Sequence, residues 1–415
     1  MSQKRILFTP PRVGVRSNSA GDLVGGGMIG SAPTTIAALY DDLEGTSPNS
    51  GNIIHGEAAI KTFAFDPGRS CIGYFPDASK ATLEQGVAEV ERRFDAVIAS
   101  FSNIIRTRVP EERMEKEGAK LDIVSDYLER LKIPVYVLGI GIQDVPEPDK
   151  VWAPLRRLLL AADKHARLFG VRGLTTEKWL RSIGCTKAVA IGCPSLFAFP
   201  ANVMRIAPPQ IGPGMRVGTA GHIGAAPRKR ASVTMLQRIA GETTADYVFQ
   251  NDLFPLTGGD KARPGSYDDA TASVDRSFIE PLIRRSAKWD GALFRGYYFF
   301  REPGRWRTYA HDRDLYYGDR FHGGVAFLQA GRPALIAGKD ARVSELASFF
   351  DLPHIGVDEA AQIPVADAVA DRLGKASLDR FKTTYVRRLA DYVRACEAAG
   401  LEFQNRAEIA GGLNG

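Results

Sequence analysis

Short runs of β-branched and small apolar residues alternate with amphipathic stretches along most of this chain, and few architectures accept that order. Phe94 to Ser100 reads as a buried strand. From Glu115 to Leu131 the apolar residues Leu121, Val124, Tyr127, Leu128 and Leu131 recur at helical spacing. Ile133 to Gly139 reads as the next strand and ends in Gly139-Ile140-Gly141. A helix over 150–164, a strand over 167–171, a helix over 174–182 and a strand over 188–191 follow. Strand–helix–strand repeats of this length predict parallel sheets with right-handed crossovers.

The alternation breaks at Ala207-Pro208-Pro209-Gln210-Ile211-Gly212-Pro213-Gly214, which has the composition of a linker. It restarts with a strand over 216–220, a helix over 230–240 and a strand over 247–250. Later come a strand over 315–318, a helix from about Gly323 to Ala330 and a strand over 334–337. The polar, Gly- and Asp-rich segment 251–275 is expected to be a long loop near the cleft. Leu378 to Ala399 reads as a long helix with Phe381, Tyr385, Leu389 and Val393 along one stripe. The expected organisation is α/β throughout: one unit over 1–205, a second over 206–370, and a helical segment over 371–415. At 415 residues, each unit is long enough to bury a core.

Composition removes other classes. The chain is 44% apolar and 25% charged, and its 42 Gly and 24 Pro show no period. No apolar run reaches the roughly 18 residues of a membrane helix, and MSQKRILFTP holds too short an apolar stretch for a secretory signal. Cys71, Cys185, Cys193 and Cys396 form no CxxC pair and no metal-ligand spacing, so reduced thiols in a cytoplasmic protein are expected, with no metal and no cofactor. Of the charged residues, 54 are basic and 48 acidic, a balance of +6 spread along the chain. This suits anionic small molecules or an anionic membrane surface as well as nucleic acid. No zinc spacing, aromatic ribonucleoprotein signature or basic stripe points to nucleic acid.

The most informative stretch runs from Asp314 through Gly318-Asp319-Arg320-Phe321-His322-Gly323-Gly324 to Gly331-Arg332-Pro333. It reads as strand, tight turn and helix, with Gly331 as the helix stop. Arg320 and His322, two apart at a strand end, are expected to face one pocket. Gly323 and Gly324 let backbone approach a ligand, and the helix start offers N–H groups to an anion. The bland alternative is a capping histidine and a surface ion pair. Three weaker features are read as ordinary structure: Gly25 to Gly30 as a loop without a Walker lysine, Arg228-Lys229-Arg230 as a solvated helix start, and Arg305-Trp306-Arg307 as exposed surface.

Arg320-Phe321-His322-Gly323, its helix and the strand from Gly331 to Ile336 resemble the C-terminal signature of the polysaccharide pyruvyl transferase family. Four further segments resemble the family in order. They are Gly51-Asn52 through Glu57-Ala58-Ala59, Leu138-Gly139-Ile140-Gly141, Phe169-Gly170-Val171-Arg172 and Gly192-Cys193-Pro194-Ser195. Together they span about residues 50 to 355. The chain departs from the pattern at Gly173, where an acidic residue is usual, at Cys193, which replaces an Asp, and at Ser100-Phe101-Ser102-Asn103, which replaces a more Gly-rich loop.

The resemblance implies two Rossmann-like domains facing across a cleft, a glycosyltransferase-B-like fold, with the first domain on the acceptor side and the second on the donor side. It implies phosphoenolpyruvate as donor and a saccharide, free or lipid-linked, of a cell-surface or exopolysaccharide precursor as acceptor. Arg172, Arg320, His322, the Phe321 backbone and Gly323 are expected to hold the donor, with His322 delivering a proton. Asn52, His55 and Glu57 are expected on the acceptor side, with Glu57 as base. Glu57 also reads as a helix-start charge, and His55 reads first as a core or surface histidine. The cleft is expected to be basic at 172, 320 and 322 and faced by a loop over 51–57. Peripheral contact with the inner face of the membrane and a homo-oligomer stay open. Two other readings remain at this point: a nucleotide-sugar glycosyltransferase or epimerase of the same architecture, and a non-catalytic glycan- or anion-binding protein.

Overall fold

The computed structural model describes residues 3–9, 15–17, 23–25, 33–43, 49–75, 82–102, 105, 111–142, 145–212, 214–224, 230–258, 263–338 and 341–414. Positions 26–30, Asn103, Arg228 and Lys229 lie outside the described residues.

Sixteen strands are described: β1 (Ile6–Thr9), β2 (Val15–Ser17), β3 (Leu23–Gly25), β4 (Cys71–Ile72), β5 (Ala96–Ser100), β6 (Val135–Ile140), β7 (Leu168–Val171), β8 (Ala188–Ala190), β9 (Arg216–Thr219), β10 (Thr244–Val248), β11 (Tyr267–Asp268), β12 (Ser273–Val274), β13 (Gly296–Tyr298), β14 (Leu315–Gly318), β15 (Ala334–Gly338) and β16 (His354–Gly356). The first sheet has the order β4-β1-β5-β6-β7-β8 and is parallel throughout. The second has the order β11-β12-β13-β10-β9-β14-β15-β16, parallel except for the antiparallel edge β11–β12–β13. β2 and β3 form a separate hairpin.

The four central strands of the first sheet, β1, β5, β6 and β7, are buried on both faces, which explains their apolar runs. Leu7, Val97, Ala99, Val135 and Val137 pack on one side. Their alternates Ile6, Phe8, Ile98 and Leu138 join a core that continues into the second sheet. The architecture is therefore α/β with two Rossmann-like units packed against each other, as the resemblance implied.

The C-terminal helix Lys375–Ala398 crosses back to the first unit. Tyr385 donates its hydroxyl to Leu196 O (2.6 Å), and Tyr392 stacks on Phe197 with ring centroids 4.4 Å apart. Phe403 then bridges to Phe63. Phe381, Tyr385 and Leu389 are buried as expected, but Val393 is only half-buried. Steps of four residues drift by about 40° each around a helix, so by the third step Tyr392 and Cys396 have taken over the stripe.

Two local expectations change. Segment 251–275 is not a plain loop, since it holds the helix Leu253–Thr257 and the short strands β11 and β12. The strand expected over 247–250 runs instead over Thr244–Val248. Its polar residue Asp246 belongs to the sheet because Arg313 reaches it, Nε to Oδ2, at 2.7 Å.

Candidate functional site

The site forms where the two units meet, and its first component is the helix Gly51–Thr62. The stretch expected as a cleft loop is this helix. Ten of its twelve residues are buried, because one unit packs on each side of it. A helix covered all round lacks an amphipathic stripe, so periodicity could not find it.

Glycines then open space for the functional side chains. A Cβ on Gly139 would lie 2.5 Å from His55 Cε1, and Gly139 has φ +75°, the left-handed region that glycine favours. A Cβ on Gly141 would lie 2.7 Å from Arg172 Cδ. A Cβ on Gly51 would lie 2.6 Å from Gln250 Oε1 and 3.1 Å from His322 Cβ. Gly51, Gly139 and Gly141 thus each make room for a residue of another motif.

The His55 and His322 rings lie 5.8 Å apart, centroid to centroid. His55 Nδ1 is 3.5 Å from Cys193 Sγ, which is 3.0 Å from Ser195 Oγ. Arg172 follows β7 and is buried against Gly141. Burial and the Arg172 guanidinium hold both imidazoles well below the ordinary histidine value; Arg342 adds to this at His322, and His322 itself at His55. His322 sits in the first turn of the helix Phe321–Gln329, where backbone N–H groups lack an intrahelical acceptor. The Phe321 ring stands edge-on to it at 5.7 Å. His322, Arg172 and His55 are therefore brought together, with Phe321 beside them and Gly323 packed against Tyr316.

Arg320 is arranged differently from the strand-end expectation. The chain has already turned at Arg320, the N-cap of that helix, so period-two geometry does not apply. Tyr316 Oη pins the turn by donating to Arg320 O (2.8 Å) and accepting from Arg320 N (3.2 Å). The Arg320 side chain reaches the end of β9, donating from Nε to Gly221 O (3.1 Å), with Asp252 and Asp319 each at 3.9 Å. Beyond it lies a group the motifs do not reveal. His222 Nδ1 is 2.9 Å from Asp319 Oδ1, and Ser232 Oγ donates to Asp319 Oδ2 at 2.6 Å. Asp319 adjoins Arg320 in sequence, which is the one signal that could have found it.

Two expectations are corrected. Glu57 is not available as a base for an acceptor: it is buried, and both its oxygens accept from Arg307, at 2.5 and 3.0 Å. Nor is Arg305-Trp306-Arg307 an exposed cluster. Trp306 is fully buried, and Arg307 stacks over Phe199 at 4.5 Å while pairing with Glu57. Both corrections have one cause, an interface that no local pattern encodes. Asn52 is half-buried near the start of the 51–62 helix.

The polysaccharide pyruvyl transferase family profile matches residues 116–338, more than half of the sequence. The chain belongs to the polysaccharide pyruvyl transferase family. No curated protein matches the sequence. Among solved structures, HepE of Anabaena in complex with UDP-glucose is similar at 12% identity and a TM-score of 0.47, over 95% of this chain and 99% of that one. The MnaA–UDP structure of S. aureus is similar at 9% identity and 0.40, over 83% and 86%. UDP-GlcNAc 2-epimerase of Neisseria meningitidis is similar at 11% and 0.37, over 77% and 74%.

Within this pyruvyl transferase family member, the departure at Gly173 has a structural counterpart. A Cβ there would lie 2.5 Å from Glu345 Cγ. The Glu345 carboxylate, arriving from the second unit, accepts from Thr176 N (2.6 Å) and Thr176 Oγ1 (2.8 Å) at the start of the helix Leu174–Ser182. A carboxylate from the second unit thus caps the start of this helix across the interface.

Proposed function

We propose that this family member transfers the pyruvyl group of phosphoenolpyruvate to two hydroxyls of a saccharide, forming a cyclic ketal and releasing phosphate. The observation that carries this reading is the convergence of Arg172 and His322 at a helix N-terminus, with glycines holding the space around them. A small dianion or trianion suits a buried guanidinium and unpaired backbone N–H groups. Arg320 extends the basic wall toward β9.

The chemistry needs a proton on the methylene carbon, attack by a hydroxyl on the resulting oxocarbenium carbon, and displacement of phosphate by the second hydroxyl. Of the two hydroxyl protons, one restores the proton given to the methylene carbon and the other leaves with phosphate. In the free protein burial and two arginines favour neutral His322. The negative charge of the donor offsets those arginines and favours imidazolium, so donor binding and acquisition of the catalytic proton are coupled. No metal or cofactor enters this scheme. The acceptor is a cell-surface or exopolysaccharide precursor. The reaction belongs in the cytoplasm, at the inner face of the membrane when the acceptor is lipid-linked. Among the described residues no helix is long and apolar enough to cross a membrane.

An acceptor screen tests this. Phosphate release from phosphoenolpyruvate is expected only with a suitable saccharide, together with a pyruvyl adduct seen by mass spectrometry. Donor binding without acceptor-dependent turnover would instead support a binding protein, and turnover of a nucleotide sugar would support a glycosyltransferase or epimerase.

A further inference from the structure

We infer that His55, Cys193 and His322 form a site for a soft divalent metal ion, with Zn²⁺ the best chemical fit, and that the ion competes with the anionic donor. The competition, though not the metal site, rests on the pyruvyl-transfer reading.

The three residues come from the 51–62 helix, the turn after β8 and the first turn of the 321–329 helix, so spacing in the sequence could not group them. One ligand atom from each lies within 4.8 Å of the other two. A four-coordinate zinc ion, with bonds of about 2.0–2.1 Å to nitrogen and 2.3 Å to sulfur, holds its ligand atoms roughly 3.3–3.6 Å apart. Cys193 Sγ and His55 Nδ1 are already 3.5 Å apart. The widest pair needs to close by at most about 1.5 Å, within reach of side-chain rotation.

Two further observations point to a ligand. His322 Nε2 is buried and has no hydrogen-bond partner, an arrangement the fold would not favour for its own sake. The donor set is also selective: two imidazoles and a thiol suit zinc or copper, whereas magnesium and calcium require oxygen. His322 remains partly exposed, which gives the ion a way in.

Arg172 sets the strength of binding. Its guanidinium beside both imidazoles opposes a dication, while ligation by Cys193, which loses its thiol proton on binding the ion, cancels one unit of charge. With three protein ligands and a fourth position open, the site fits an exchangeable ion rather than a permanent structural one. The same guanidinium favours the anionic donor, and His322 cannot serve both, so ion and donor exclude each other.

Cobalt(II) added to the full chain reports the site without any assay of turnover. The expected spectrum has the intense visible bands of four-coordinate cobalt and a thiolate-to-cobalt charge-transfer band, both displaced by Zn²⁺. Cys193→Ser should delete the charge-transfer band, His55→Ala should weaken cobalt binding, and Cys71→Ser should change neither. X-ray absorption on the zinc-loaded wild type, which needs no variant, should find one sulfur and two imidazole nitrogens. A six-coordinate cobalt spectrum, or a charge-transfer band that survives Cys193→Ser, overturns the site. Phosphoenolpyruvate should displace the cobalt bands, and persistence of the bands while the donor is bound overturns the competition. Failure of the metal-free wild type to bind phosphoenolpyruvate would overturn the pyruvyl-transfer reading, and the competition with it, while the spectrum still decides the metal site.

Discussion

At the scale of single residues, His322 is held neutral by its surroundings and yet is the group best placed to carry a proton to the donor. If it delivers that proton, His322→Ala should lower kcat by about 10²–10⁴-fold, and His322→Gln should recover KM for phosphoenolpyruvate but not kcat. Wild-type turnover in a folded His322→Ala protein would remove the assignment. The buried imidazoles also set a dependence on pH. Their folded values lie below the ordinary 6.5, so as the pH falls the unfolded chain takes up protons first. Their contribution to stability is therefore intact above about 6.5 and lost as the pH falls toward the folded values. Denaturant midpoints in chelator should fall between about pH 7 and 5.5, and His55→Gln should flatten that slope. A slope unchanged by the substitution would show that His55 is not the source. Gly139→Ala places a Cβ against the His55 ring at a left-handed position, so it should cost about 1–3 kcal/mol and weaken donor binding, read by calorimetry.

At the scale of elements, strands with apolar runs and helices with one apolar stripe were legible, since their own residues carry the period. Val135–Ile140 and Leu174–Ser182 are of this kind. The 51–62 helix was not, because neighbours cover it on every side. β11 and β12 are two residues each, shorter than any period can resolve. The motif glycines were legible as positions but not in purpose: Gly139 and Gly141 stand two apart in sequence and accommodate different residues, His55 and Arg172. Arg172 and His322 were legible through the family pattern, while His222 and the true partner of Glu57 depend on contacts between distant segments. The Glu57–Arg307 pair offers a test at this scale. Glu57→Gln leaves a largely buried guanidinium without its charge partner, so it should destabilise the protein by about 3 kcal/mol while leaving turnover per folded molecule near wild type. A large fall in kcat with stability unchanged would restore Glu57 as a base.

At the scale of the molecule, the two units are joined by more than the chain between them. Arg307 on Glu57, Glu345 on Thr176 and Gln329 on Ser195 O (2.7 Å) all cross the interface close to the site. The helix Lys375–Ala398 then returns from the second unit to cover Phe197 and approach Phe63. Tyr392 is fully buried in that contact, so Tyr392→Ala should cost about 3–5 kcal/mol, and the loss should appear in a single unfolding transition monitored by calorimetry. Separation into two transitions would mean that the units are energetically independent.

The returning helix has a consequence for biosynthesis. The first sheet is fully translated at Ala190, but the residues that cover Phe197 and Phe63 begin at Lys375, about 185 residues later. At roughly 5–20 residues per second, the ribosome takes about 10–40 s to supply them. Through that interval the nascent chain presents aromatic surface with much of its cover still unmade.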